Sequence, residues 1–175
     1  MNECMPSHLK FEQWVSYPIE KVFLFFANPE NLPRIMPAPT DTKIDQLRLI
    51  PPPESSLPPR TNRTKLAGIG SEIVTSFRVL PPLPFRALWI AQIVDFAWNH
   101  HFADIQKKGP FKSWHHRHEF AEEIRNNIAG TIVRDVIDYE VGYGPFGAIG
   151  EALFVKPKFR SMFKSRQSVL PALLA

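Results

Sequence analysis

The sequence predicts an α+β fold in which seven antiparallel strands form a curved sheet around one long C-terminal helix. Eighteen prolines among 175 residues argue against an all-helical chain. Six strand-like segments follow one another with short turns after residue 42, which is typical of an antiparallel meander. Only the last helix-periodic segment is long enough to cover such a sheet, so we expect it to pack on the apolar face.

The N-terminal part of the chain predicts one strand and two short helices. Residues 8–15 alternate apolar and polar side chains, as a half-buried strand does. Pro18 suits the first position of the helix that follows, because an N–H at that position has no partner within the helix and proline's lack of one costs nothing. The apolar face of this helix consists of Ile19, Val22, Phe23 and Phe26. Asn28 can cap a second short helix that runs from Pro29 to about Ile35.

The remaining strands are bounded by proline, glycine and asparagine. We expect them at residues 42–50, 71–80 and 85–96, in the two halves of a 102–120 hairpin, and at residues 130–141. Residues 51–64 form a proline-rich loop between strands, for which a docking motif for a proline-reading domain is the alternative. In the C-terminal helix, Phe146, Ile149 and Leu153 share one stripe, and Pro157 should kink or interrupt the helix.

The hairpin at residues 102–120 carries the clearest sign of a binding site. On its second strand, Trp114, His116, His118 and Phe120 lie on one face. On its first strand, Phe102, Asp104 and Gln106 share a face. If the strands pair these faces, two imidazoles, a carboxylate and an amide meet among aromatic rings. A mostly apolar surface with a few convergent polar groups is typical of a ligand cavity.

These motifs resemble the START-related SRPBCC superfamily, in particular a bacterial branch of polyketide cyclase/dehydrase-like proteins. The matching motifs are Phe-x-Asp-x-Gln at 102–106, Gly-Pro-Phe at 109–111, Trp-x-His-x-His-x-Phe at 114–120, Asp-x-x-x-Tyr at 135–139, a Gly-rich helix entry at Gly144 and Gly147, and signatures at 17–23 and 28–32. The resemblance spans about Leu9 to Leu170, but the chain has Gly142 where we expect proline. It implies the helix-grip fold, a scaffold shared by carriers, cyclases, hydroxylase subunits and regulators.

We therefore expect non-covalent binding of a hydrophobic or amphipathic small molecule, such as a lipid or polyketide, in a cavity between the sheet and the C-terminal helix. The expected ligand-binding residues are Phe102, Asp104, Gln106, Trp114, His116, His118, Phe120, Asp135 and Tyr139. The alternative is a cyclase/dehydratase-type enzyme in which His116 or His118 is the general acid or base. We favour a binder without turnover over an enzyme.

Metal and nucleophile chemistry has less support in the sequence. Two histidines spaced as His116 and His118 could share a metal with Asp104 or Asp135, but no Cys pair or His-Glu-x-x-His helix accompanies them. We assign no metal and no cofactor. No Gly-x-Ser-x-Gly motif supports a serine nucleophile.

Length and charge set the remaining expectations. One START-like domain over residues 1–175 is the simplest division, with residues 1–7 as a flexible N-terminus. The lone Cys4 and the lack of a secretory signal predict a cytoplasmic protein. The formal charge is +4. The basic C-terminal helix predicts at most weak contact with a membrane surface, and we expect no nucleic-acid partner, because the aromatic residues face inward. The oligomeric state stays open.

Overall fold

In the computed structural model, seven strands form one antiparallel sheet. The model describes residues 6–54, 61–81, 83–142 and 149–175. The strands are β1 (Ser7–Val15), β2 (Lys43–Arg48), β3 (Glu72–Arg78), β4 (Arg86–Ala97), β5 (His101–Lys108), β6 (Ser113–Arg125) and β7 (Ile128–Glu140). Their order in the sheet is β1-β7-β6-β5-β4-β3-β2. The predicted α+β meander is confirmed: β2 to β7 are consecutive neighbours, and β1 pairs with β7.

In the described parts of the chain the α-helices are α1 (Ile19–Ala27), α2 (Leu32–Ile35) and α3 (Lys156–Leu173), and a 3-10 turn at Pro29–Asn31 leads into α2. Asn28 ends α1, and its side chain accepts a hydrogen bond from the backbone N–H of Glu30, which confirms the predicted cap. A π-helical turn at Glu151–Val155 leads directly into α3. Pro157 follows in the first turn of α3. The regular α-helix therefore begins next to the predicted site of irregularity, and the irregularity is the π-helical turn just before it.

Several predicted boundaries need correction. Ser7 was expected in a flexible N-terminus, but it is the first residue of β1 and pairs with Tyr139. His101 was expected between two strands, because the predicted strands end at residue 96 and resume at residue 102, but it begins β5 and pairs with Glu119. Ile149 and Leu153, expected on one apolar stripe, are both exposed. Cys4, Phe146, Gly144, Gly147 and residues 55–60 of the proline-rich loop lie outside the described residues.

The buried apolar side chains form two clusters along the sheet. In the first, α1 packs on β5, β6 and β7, and the ring of Phe23 meets Phe102 and Phe120 edge to face. In the second, Trp114, Ile137 and Tyr139 pack under Phe163 of α3. Helix α3 is thereby fixed over the strands that carry the predicted site. None of the helices in the described ranges combines the length and the apolar character that a membrane span requires.

Candidate functional site

Five polar side chains interrupt the core between the two apolar clusters. Along β6, Trp114 belongs to one apolar cluster and Phe120 to the other, and the two histidines lie between them. We call this group the buried polar cluster; it consists of Asp104, His116, His118, Asp135 and Arg166. Each of these side chains is at most 13% exposed. Buried polar groups at such a density are costly unless they pair with one another or with a ligand.

Strand register brings four of these side chains together. Asp104 of β5 is opposite His116 of β6, and Asp135 of β7 is opposite His118. Since side chains two apart on a strand share a face, both histidines point to the side of the sheet that α3 covers. The predicted pairing of Asp104 with the histidine stripe is confirmed.

Asp135 is the centre of the cluster. Its Oδ1 lies 3.0 Å from Nε2 of His116, 2.8 Å from Nδ1 of His118 and 3.1 Å from Nη1 of Arg166. Burial alone would raise the pKa of Asp135, but the Arg166 guanidinium, His118 and the hydrogen bond from His116 outweigh burial and hold that pKa well below its usual range. Asp135 is therefore a carboxylate, and it ties α3 to the middle of the sheet.

His118 is neutral at physiological pH. Burial, together with nearby His116, lowers the pKa of its imidazole to about 3. Although Nδ1 of His118 is close to Asp135, it is out of line for a hydrogen bond. Within the described residues it has no hydrogen-bond partner. The ring lies 4.4 Å from that of Phe102 and 4.0 Å from that of His116, between centroids.

Asp104 completes the group on the other side of His116. Its Oδ1 accepts a hydrogen bond from Nε1 of Trp114 at 3.3 Å, and its Oδ2 lies 3.7 Å from Nδ1 of His116. Burial raises the pKa of Asp104, against the opposing influence of His116 and Trp114. His116 thus stands between two carboxyl groups, with one ring nitrogen toward each.

Arg166 is the functional candidate that the sequence analysis did not include. Its guanidinium lies over the ring of Phe26 at 4.5 Å and near that of Phe163 at 5.3 Å. Nη1 pairs with Asp135, whereas Nη2 is buried and has no hydrogen-bond partner among the described residues. The available signal was its place at helical spacing after Phe159 and Phe163, on a face that otherwise buries apolar side chains.

The other predicted site residues occupy structural positions. Gln106 closes the β5–β6 turn, where its side chain donates to the carbonyl of Phe111 at 2.8 Å. Phe102 and Phe120 are buried against α1. Tyr139 is fully buried, and its hydroxyl donates to Glu151 of the π-helical turn at 3.0 Å. Their direct contact with a ligand stays a prediction.

Comparison with solved structures shows the START-related helix-grip fold. A START superfamily protein from Mycobacterium smegmatis superposes with a TM-score of 0.62 at 13% identity, over 95% of this chain and 98% of that one. A norcoclaurine synthase point mutant from Thalictrum flavum, in complex with a transition-state analogue, gives 0.62 at 12% identity over the full length of both chains. Ginseng major latex-like protein 151 from Panax ginseng gives 0.61 at 13% identity, over 98% of this chain and 99% of that one.

The sequence itself gives no comparable match. No protein-family model matches it, and no curated protein matches it at a significant level. The likeness to the solved structures therefore concerns the fold, and the site must be interpreted from its own residues.

Proposed function

We propose that the protein binds a hydrophobic or amphipathic small molecule between the sheet and α3, with the buried polar cluster holding the polar end of the ligand. Aromatic rings of both apolar clusters would contact the apolar part, and its burial would contribute about 25 cal/mol per Å² before the entropic costs of association. The ligand class with the best chemical fit carries a carboxylate or carbonyl oxygen at one end.

The unpaired donor of Arg166 supports this proposal most strongly. A guanidinium presents its N–H groups as a planar fork that suits a carboxylate or a carbonyl oxygen. In Arg166, one arm of the fork is engaged by Asp135 and the other, Nη2, is buried without a partner in the described parts of the chain. A buried unsatisfied donor costs about 1–3 kcal/mol, which a ligand oxygen would recover.

One protein with this fold has been solved with small molecules bound. A norcoclaurine synthase structure from Thalictrum flavum contains dopamine and hydroxybenzaldehyde; its TM-score to this chain is 0.57 at 12% identity. Both molecules are small, aromatic and oxygen-bearing. They support a ligand of this general class here and leave its identity to experiment.

A matched pair of probes tests the proposal. Dodecanoate and dodecanol have the same apolar chain and differ in the end group, so isothermal titration calorimetry on both isolates the contribution of the carboxylate. A charge-assisted hydrogen bond contributes about 1.5–3 kcal/mol, so we expect dodecanoate to bind roughly 10- to 100-fold more tightly. In the variant Asp135→Asn/Arg166→Met, which removes the ion pair as a unit, this preference should disappear.

The control removes a cation that is not in the cluster. Lys164 is exposed on the same helix, so Lys164→Met removes one positive charge outside the cluster and should leave the preference unchanged. The double variant removes one negative and one positive charge, so its net charge equals that of the wild type. Equal affinity of the folded wild-type protein for the two probes would contradict the proposal. Loss of the preference in the Lys164→Met control would also contradict it, because the preference would then follow the overall positive charge of the protein and not the buried polar cluster.

A cyclase/dehydratase-type enzyme is the second candidate, and the position of His116 favours it. A carboxylate that accepts from one ring nitrogen orients an imidazole for proton transfer, and Asp135 lies 3.0 Å from Nε2 of His116. If His116 is the acid or base, His116→Gln should lower turnover of an identified substrate at least about 100-fold and leave its binding nearly intact. A carrier would show only a modest loss of affinity.

We also propose that one end of the molecule contacts an anionic membrane surface. Exposed apolar side chains gather on the β3–β4 turn and on the π-helical turn; Phe85 is 67% exposed and Phe154 is 69% exposed. The start of α3, which follows the π-helical turn directly, contacts the β3–β4 turn, because Lys158 donates to the carbonyl of Val79. Large apolar side chains beside basic ones are typical of surfaces that enter the headgroup region of anionic bilayers.

Co-sedimentation with phosphatidylserine-containing vesicles tests this contact. Phe85→Ser/Phe154→Ser should reduce the bound fraction several-fold, because two exposed aromatic side chains no longer enter the interface. Ile124→Ser is the matched control, because Ile124 is 73% exposed at the opposite end of the sheet. This variant should bind the vesicles to the same extent as the wild type. Binding that is unchanged in the double variant, or equal on uncharged vesicles, would contradict the proposal.

A further inference from the structure

We propose that Asp104, His116 and His118 form a binding site for one divalent transition-metal ion. One carboxylate oxygen of Asp104 and one ring nitrogen of each histidine lie within 4.8 Å of one another. Two imidazoles with one carboxylate are a donor set that suits Zn²⁺, Fe²⁺ and Co²⁺, whereas Mg²⁺ and Ca²⁺ prefer oxygen ligands alone. The inference concerns the inorganic chemistry of the cluster and does not depend on an organic ligand.

The gap between Asp104 and His116 has the width that an ion requires. Oδ2 of Asp104 and Nδ1 of His116 are 3.7 Å apart, which is too far for a hydrogen bond. Two ligand atoms that each lie about 2.0–2.2 Å from a tetrahedral ion are about 3.4 Å apart. A small shift of either side chain brings both atoms into coordination distance, and the hydrogen bond from Trp114 to Oδ1 keeps Oδ2 turned toward the gap.

The surroundings of His116 match those of a metal-binding histidine. Such a histidine usually gives its second ring N–H to a carboxylate, which fixes the tautomer and the ring orientation. Here Nε2 of His116 faces Oδ1 of Asp135 at 3.0 Å, so Nδ1 is left for the ion. Arg166 pairs with Asp135 at 3.1 Å, so Asp135 orients His116 and is not itself needed as a ligand.

Three protein ligands leave at least one coordination position for water or for an added molecule. Structural zinc sites close this position with a fourth side chain, whereas sites that handle substrates keep it open. An ion here would share the buried polar cluster with Arg166, whose Nη1 pairs with Asp135.

Metal titration of chelator-stripped protein tests the inference. We expect Zn²⁺ to bind with a stoichiometry of one per chain by calorimetry, and Co²⁺ to give the intense visible d–d absorption of a low-coordinate site. Asp104→Asn should weaken binding at least about 100-fold, and Asp135→Asn, which removes only the orienting carboxylate, about 10-fold. The Co²⁺ spectrum is recorded on the wild-type protein, so it tests for the metal site even if one of the variants fails to fold.

The matched control is His115→Gln, on the same strand but on the other face, where His115 pairs with Ile105 of β5. It should bind Zn²⁺ like the wild type. Absence of stoichiometric binding in the wild-type protein would overturn the inference. So would binding that persists in both Asp104→Asn and His116→Gln. Dodecanoate affinity, measured in the chelator-stripped protein, tests the proposed ligand binding separately. The metal site and the ligand site can therefore each be refuted without the other.

Discussion

The ion pair between Arg166 and Asp135 makes a quantitative prediction about stability. The two side chains are 9% and 7% exposed, and Nη1 lies 3.1 Å from Oδ1. Arg166→Met leaves the Asp135 carboxylate buried with only imidazoles beside it. Removing one partner of a buried pair costs about 3–5 kcal/mol, whereas replacing both partners by neutral groups is often close to neutral. We therefore expect Arg166→Met to lower the free energy of unfolding by about 3–5 kcal/mol.

The double variant Asp135→Asn/Arg166→Met should be more stable than Arg166→Met, by about 2 kcal/mol or more, since no uncompensated charge remains. Urea unfolding at neutral pH, followed by circular dichroism, measures the free energy of unfolding of the wild type, of Arg166→Met and of the double variant. Lys164→Met should change stability by no more than about 0.5 kcal/mol, because Lys164 is exposed. The reasoning fails if Arg166→Met costs less than about 1 kcal/mol, or if the double variant is no more stable than the single one.

Three further predictions concern other parts of the molecule. Gly130→Ala should cost about 1–3 kcal/mol in the free energy of urea unfolding, because the new Cβ would lie 2.4 Å from the carbonyl oxygen of Val15; unchanged stability would contradict this packing. Glu151 has a pKa below its usual 4.5: burial opposes this, but hydrogen bonds from Ser7 and Tyr139 and contact with Lys156 outweigh it. The ionised Glu151 therefore stabilises the folded state above pH 4.5, and this stabilisation is lost as the pH falls through the lower pKa of the folded state. In Glu151→Gln, the free energy of unfolding should depend less steeply on pH over that acidic range. Gln106→Ala should leave dodecanoate affinity within about twofold by calorimetry, because its amide is engaged with Phe111; a tenfold loss would restore Gln106 to the binding site.

The sequence predicted the sheet well because strand alternation is a local signal. The 102–120 hairpin shows this most clearly: its turn is short, so the pairing of Asp104 with His116 follows from the alternation on each strand. The same logic placed the aromatic residues inward. Alternation could not tell whether a given ring packs in the hydrophobic core or contacts a ligand, because an inward-facing aromatic residue has the same sequence pattern in both roles.

Arg166 was missed because its role depends on packing between distant segments. Helical periodicity places it after Phe163, but a charged residue at such a position usually turns to solvent. Its burial requires the carboxylate of Asp135, which is 31 residues earlier in the chain and on a different element. No pattern within either segment reveals that contact.

The exposed Ile149 and Leu153 have a different cause. The predicted stripe assumed a regular α-helix, but the π-helical turn at Glu151–Val155 adds residues to that turn and changes the phase of the faces. Ile149, which precedes the turn, and Leu153, which lies within it, therefore do not continue the buried face of α3. Pro157 marked the irregularity in the sequence, yet its form could not be deduced from one proline.

The most direct test of the account is NMR of the Arg166 and His118 side chains during a dodecanoate titration. Specific labelling of arginine and histidine side chains resolves these signals from those of the surface, with Arg166 assigned from Arg166→Met and His118 from His118→Gln. We predict that the Arg166 N–H signals shift and saturate with the calorimetric Kd, and that His118 shows contacts to the methylene group next to the carboxylate of dodecanoate. Saturable binding that leaves both side chains unperturbed would contradict the claim that the buried polar cluster holds the ligand.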